Sequence, residues 1–241
     1  MVITAVLALT TPALAAGEGA PRPADRPLPT PPTRSTAWVA HVTHPTVARR
    51  HPSRHGRRVA TVRTEVPWTG GPTRLLVLDA RRNRHGEAWL RVRLGTRPNT
   101  ASGWIAARFA EVERTPWRVV VDRSDRSLTV LNRGRVVKRA GAVVGTGATP
   151  TPLGLFALFE HARQPRGASL GPWALHLTAH SEVVHSFDGG AGRVAIHGRA
   201  GRLAQAPLGS AASHGCVRVD NTVIAWMARH LAAGTPVEVR A

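Results

Sequence analysis

The sequence predicts a mostly β protein, two β modules in tandem with one helix packed near the C-terminal end. Three observations carry that reading. The 19 prolines and 23 glycines punctuate the 241 residues densely, which favours many turns over a helical bundle. Between the turns lie short runs of alternating or β-branched residues. Only one stretch follows helical spacing, through Val223, Ile224, Trp226, Met227, His230 and Leu231.

Taken in order, residues 2–9 are apolar and lead through Thr10, Thr11 and Pro12 into Ala13-Leu14-Ala15. That is the apolar region and small-x-small cleavage site of a secretory signal, assigned to residues 1–16. Only Met1 precedes the apolar run, so the usual positive n-region is missing, which points to a misplaced start or a truncated sequence. Residues 17–36 are rich in Pro, Ala, Arg and Thr, have little to bury and read as an extended linker. A first module, residues 37–114, shows strands at 38–42, 58–62, 75–78 and 89–94, then Gly103-Trp104-Ile105 and a short tail. Gly70-Gly71-Pro72, Arg84-His85-Gly86 and Arg97-Pro98-Asn99 mark its turns. A second module, residues 116–241, shows strands at 118–121, 127–132, 135–139, 156–160, 174–177, 193–197 and 237–239. Asp220 is placed to cap its helix, and Gly234 with Pro236 to end it.

The 33 basic and 14 acidic residues leave a net charge of +19, carried almost wholly by arginine, since Lys138 is the one lysine. The arginines are scattered and no nucleic-acid motif accompanies them, so a nucleic-acid partner is not expected. For an exported chain the matching polyanion is the cell wall. No apolar run beyond the N-terminus is long enough to span a bilayer.

Cys216 is the single cysteine and has no intramolecular partner, so in an oxidising compartment its presence asks for a reason. It lies in Ser213-His214-Gly215-Cys216-Val217-Arg218. A thiol attacks as the thiolate and needs a base or a positive field. His197, at the end of Val194-Ala195-Ile196 and followed by Gly198, is the better base. A side chain two positions before the nucleophile generally points elsewhere, which makes His214 the weaker one. Gly215 permits a tight backbone, so amides around Cys216 can converge on an oxyanion.

His197-Gly198 followed by Ser213-His214-Gly215-Cys216-Val217-Arg218 resembles the signature of L,D-transpeptidases with a YkuD-type catalytic domain. Thr151-Pro152-Leu153-Gly154-Leu155-Phe156 resembles that family's Thr-Pro-x-Gly-x-Phe segment. The resemblance implies a β-sandwich-like catalytic domain, cysteine acyl-enzyme chemistry without metal or cofactor, and peptidoglycan stem peptides as substrate. It implies Cys216 as nucleophile, His197 as base, and the Gly198 carbonyl as the group that orients the imidazole. The amides of Gly215 and Cys216, with His214, would form the oxyanion hole. Trp89, Leu90, Val92, Gly103, Trp104 and Ile105 carry a weaker resemblance to bacterial SH3-like wall-binding modules, implying a small β-barrel in the first half.

Ser213 is expected to shape the loop or touch substrate, and Arg218 to pair with a substrate carboxylate or brace the loop. Trp173 and His176 are expected on the peptide groove, with packing of Trp173 in the core as the alternative. His176, His180 and His185 raise the question of a metal site, but the alternation of residues 174–177 reads as a strand and no Cys or carboxylate cluster accompanies them, so none is expected. Rival readings are an L,D-carboxypeptidase using the same site and a non-catalytic wall-binding protein. A papain-type peptidase is disfavoured because here the histidine precedes the cysteine.

Overall fold

The structure, a computed structural model, describes residues 27–186 and 191–241. The signal region, the first half of the linker and residues 187–190 lie outside the described residues.

The first half is one seven-stranded sheet. Its strands are β1 (Ala37–Val42), β2 (Thr46–Arg49), β3 (Arg58–Val62), β4 (Arg74–Arg82), β5 (Ala88–Arg93), β6 (Ser102–Ala106) and β7 (Ala110–Thr115), in the order β3-β2-β6-β5-β4-β1-β7. Alternation places Ala40, Val42, Leu75, Val77, Leu90, Val92 and Ile105 in one buried cluster. β2 and β7 fall where no strand is expected from the sequence. β7 reads Ala-Glu-Val-Glu-Arg-Thr and lies on the sheet edge, where one neighbour suffices and charged side chains face solvent. β4 runs on to Arg82, four residues past the apolar run, because its polar end still pairs with β5.

The second half contains β8 (Trp117–Asp122), β9 (Ser127–Asn132), β10 (Arg135–Gly141), β11 (Val144–Gly145), β12 (Gly154–Arg163), β13 (Trp173–His180), β14 (Arg193–His197), β15 (Ala211–Ser213), β16 (Val217–Arg218), α1 (Asn221–His230) and β17 (Pro236–Arg240). Eight of these form a sheet in the order β10-β9-β8-β17-β12-β13-β14-β16, while β11 and β15 pair with each other. β17 enters the middle, parallel to β8 and antiparallel to β12. The apolar face, with Val119, Val121, Phe156, Leu158, Leu175, Leu177, Ile196 and Val217, packs against Ile224 and Met227 of α1. Asp220 caps the helix by accepting the Thr222 N–H at 2.8 Å. Among the described residues α1 is the one α-helix, and none is long and apolar enough to cross a membrane.

The two halves are joined by apolar and polar contacts. Ala37 and Leu76 share a buried cluster with Ala157. Asn99 copies a strand partner, donating to the His180 carbonyl and accepting the His180 N–H, each at 2.8 Å. Arg97 donates to the Ser181 carbonyl at 2.6 Å, and Arg193 reaches back to the Gly95 carbonyl at 2.9 Å.

Candidate active site

β14 and β16 run parallel, with Ile196 opposite Val217 and His197 opposite Arg218. Ile196 and Val217 point into the core and are fully buried. The alternating neighbours Ala195 and His197 on β14, and Cys216, just before β16, with Arg218 on it, therefore share the other face. The Ala195 N–H donates to the Cys216 sulfur, which fixes the thiol beside β14. Two pieces of chain separated by a long loop are thus brought side by side through strand pairing.

His197 is 3% exposed, and its Nδ1–H donates to the Gly198 carbonyl at 2.6 Å. That bond selects the tautomer with the lone pair on Nε2. Burial lowers the His197 pKa from 6.5 to about 4, more than the Gly198 carbonyl raises it, and Arg218 and His176 push it further down. Burial also pushes the Cys216 thiol up, partly countered by the Ala195 N–H and by Arg218. The resting pair is therefore a neutral imidazole beside a neutral, partly exposed thiol.

The loop before Cys216 is held by its own backbone and by the segment after β11. The buried Ser213 hydroxyl donates to the Cys216 carbonyl and accepts the Gly215 N–H at 3.1 Å, so its hydrogen bonds stay inside the loop. Gly215 has φ +116°, a left-handed geometry that favours glycine. Its N–H is the one that donates to the Ser213 hydroxyl. Thr149 donates its hydroxyl to the Ser213 carbonyl at 3.1 Å, and Thr151, fully buried, accepts the Gly145 N–H at 3.0 Å. The Thr-Pro-x-Gly-x-Phe segment thus begins with Thr151 bonded to β11, whose Gly145 pairs with Ser213, and ends with Phe156 in the core.

The strand end at His197 is clamped from below. Asn221 accepts the Arg199 N–H at 2.8 Å and donates to the Arg199 carbonyl at 3.0 Å. A Cβ on Gly198 would come within 2.2 Å of the Asn221 Oδ1, so only glycine lets the chain pass. Thr149, Ala195 and Asn221 were not singled out from the sequence. Thr149 and Asn221 act through backbone partners, and Ala195 contributes only its amide, none of which leaves a side-chain signature; Asn221 beside the helix cap was the one available hint.

Arg218 is 8% exposed, meets the Ala212 carbonyl at 3.5 Å, and has no carboxylate partner among the described residues. Its Nε is buried without a hydrogen bond. His214 is exposed on the loop. Trp173 and His176 part company. His176 lies on the Cys216 face, whereas Trp173 alternates with Leu175 and Leu177 and packs against the core, so the two do not line one groove. His176 and His180 share that face of β13 but His185 is exposed beyond it, and among the described residues no three His, Cys, Asp or Glu groups converge as metal ligands.

The putative L,D-transpeptidases YkuD of Bacillus licheniformis and Bacillus subtilis are each 27% identical to this chain over 124 residues. That match covers 52% of this chain and 66% of theirs, so the chain spans just under two thirds of the length of these curated relatives. An L,D-transpeptidase from Mycobacterium smegmatis superposes with a TM-score of 0.45 and 20% identity, over 86% of this chain and 99% of that one. The family model of the YkuD L,D-transpeptidase catalytic domain matches residues 116–239, about half of the chain, and the chain therefore belongs to that family.

Proposed function

We propose that the protein is an extracytoplasmic peptidoglycan L,D-transpeptidase that forms 3→3 cross-links through a Cys216 thioester. The observation that carries this reading is the placement of Cys216 and His197 on one face of adjacent parallel strands, with the His197 Nδ1–H tied to the Gly198 carbonyl. In the first half-reaction Cys216 attacks the carbonyl joining the third residue of a stem tetrapeptide to its terminal D-alanine. The thiol proton passes to His197 Nε2 and from there to the departing amine, so the C–N bond breaks as the C–S bond remains. In the second half-reaction an amine of a neighbouring stem attacks the thioester, gives up its proton to His197, and returns the thiol to Cys216.

Both resting partners are neutral, so proton transfer is coupled to C–S bond formation rather than completed before it. The Gly198 carbonyl holds the imidazole and supports the charge it gains, the role a carboxylate plays in an acid-based triad. With the Gly215 amide engaged, the Cys216 amide and His214 are the candidates for the oxyanion. Arg218, buried with a free Nε, suits a carboxylate of the substrate. The +19 charge favours retention on an anionic wall.

Incubation with purified disaccharide-tetrapeptide and mass spectrometry of the products tests this. A cross-linked dimer with loss of D-alanine is expected, and Cys216→Ala and His197→Ala each remove both products. Tripeptide alone would make the protein an L,D-carboxypeptidase, with water as acceptor; no turnover would leave a wall-binding protein. Turnover retained in Cys216→Ala would sink the mechanism.

A further inference from the structure

We propose that the first half of the chain supplies one wall of the donor groove, with the Trp68 indole as the platform on which the donor peptide lies on the N-terminal side of its reactive carbonyl. This deepens the L,D-transpeptidase reading above and rests on it. Trp68 belongs to the loop between β3 and β4 and is 51% exposed, an unusual state for so large an apolar ring. The loop is nevertheless anchored. The N–H groups of Trp68 and Thr69 both donate to the carboxylate of Glu160, which is 1% exposed on β12. The indole then meets the His176 ring edge-on at 4.9 Å, and the Arg193 guanidinium at 5.3 Å.

Strand register shows where this places the ring. Glu160 is opposite His176, and His176 is opposite Ala195. The β14–β16 register, with Ile196 opposite Val217, sets Ala195 beside Cys216. Glu160, His176, Ala195 and Cys216 therefore form one transverse row on the polar face of the sheet. Neighbouring strands are about 4.8 Å apart, so the His176 position beneath Trp68 is about 10 Å from the nucleophile's strand. An extended chain covers about 3.3 Å per residue, so a donor whose carbonyl is at the sulfur reaches the indole about three residues away. In that row the residue between His176 and Cys216 is Ala195, whose side chain is a single methyl group. A flat, half-exposed ring held by two backbone amides suits the amide planes and aliphatic parts of an extended peptide.

The test compares the full chain with Trp68→Ala and Trp68→Phe, using D-alanine release from disaccharide-tetrapeptide and alkylation of Cys216 by iodoacetamide. Trp68→Ala is expected to raise the donor KM about tenfold, the size of one lost aromatic contact, with kcat nearly unchanged. Trp68→Phe should recover most of the loss, and alkylation should proceed at the wild-type rate in both variants. An unchanged donor KM, an effect confined to the acceptor KM, or a matching fall in alkylation would overturn the platform while leaving the wild-type activity in place. A wild-type protein that releases no D-alanine would overturn this inference together with the reading beneath it.

Discussion

At the scale of single residues, Cys216 and His197 are each pushed toward the uncharged form, and burial is the first cause for both. Desolvation penalises an imidazolium and a thiolate alike, so a preformed ion pair is not the resting state. Alkylation of Cys216 by iodoacetamide should therefore keep rising beyond the ordinary thiol range and show no plateau between about pH 5 and 8, which a thiolate–imidazolium pair would give. Arg218→Gln, which removes the nearby positive charge, should move that curve to higher pH. A plateau near neutrality would show that the pair is ionised. The Cys216 and His197 segments, which strand pairing brings together, could be picked out in the sequence because side chains mark them. The spending of the Gly215 amide on Ser213 could not, since a backbone N–H has no letter of its own in a sequence.

At the scale of elements, the N-terminus of α1 does two tasks. Asp220 caps the helix, and the next residue, Asn221, closes two hydrogen bonds on Arg199 and so holds the end of β14. Asn221→Ala should lower activity several-fold by loosening the His197 ring and cost about 1–2 kcal/mol of stability, since it leaves the Arg199 N–H and carbonyl without these partners. Denaturant titration and D-alanine release check the two effects separately. Strand limits follow the sequence where alternation is unbroken, as at 58–62, 127–132 and 193–197, which coincide with β3, β9 and β14. They depart from it where pairing rather than hydrophobicity decides. β11, β15 and β16 are two or three residues each and exist because the cysteine loop is laced to its neighbours.

At the scale of the whole molecule, the second sheet carries several histidines largely withdrawn from water, with His176, His180 and His197 on its polar face and His161, opposite Leu175, on the other. His161, His176, His180 and His197 all have pKa values lowered from 6.5 to about 4, chiefly by burial. Arg193 adds to this at His176 and His180, and Arg97 at His180. Because the folded state resists protons that the unfolded chain accepts below pH 6.5, stability is full above that value and is lost as pH falls toward 4. Each such histidine costs at most about 1.4 kcal/mol per pH unit across that window. The thermal midpoint should therefore drop steeply between pH 6.5 and 4, and His180→Gln should flatten the slope. A midpoint indifferent to pH over this range would show that these rings are solvated.

The position of β17 has a consequence for how the protein is made. Within the eight-stranded sheet it is, among the described residues, the one ladder joining β8, β9 and β10 to β12, β13, β14 and β16. Residues 236–240 are also translated after every other strand of that sheet. Until they emerge from the ribosome, the two groups of strands lack their central ladder and meet only through the Val143–Arg218 bridge and the short β11–β15 pair. A nascent chain that cannot close its central seam remains threadable, the state in which polypeptides cross a membrane, and it completes its fold only when synthesis has passed the last strand.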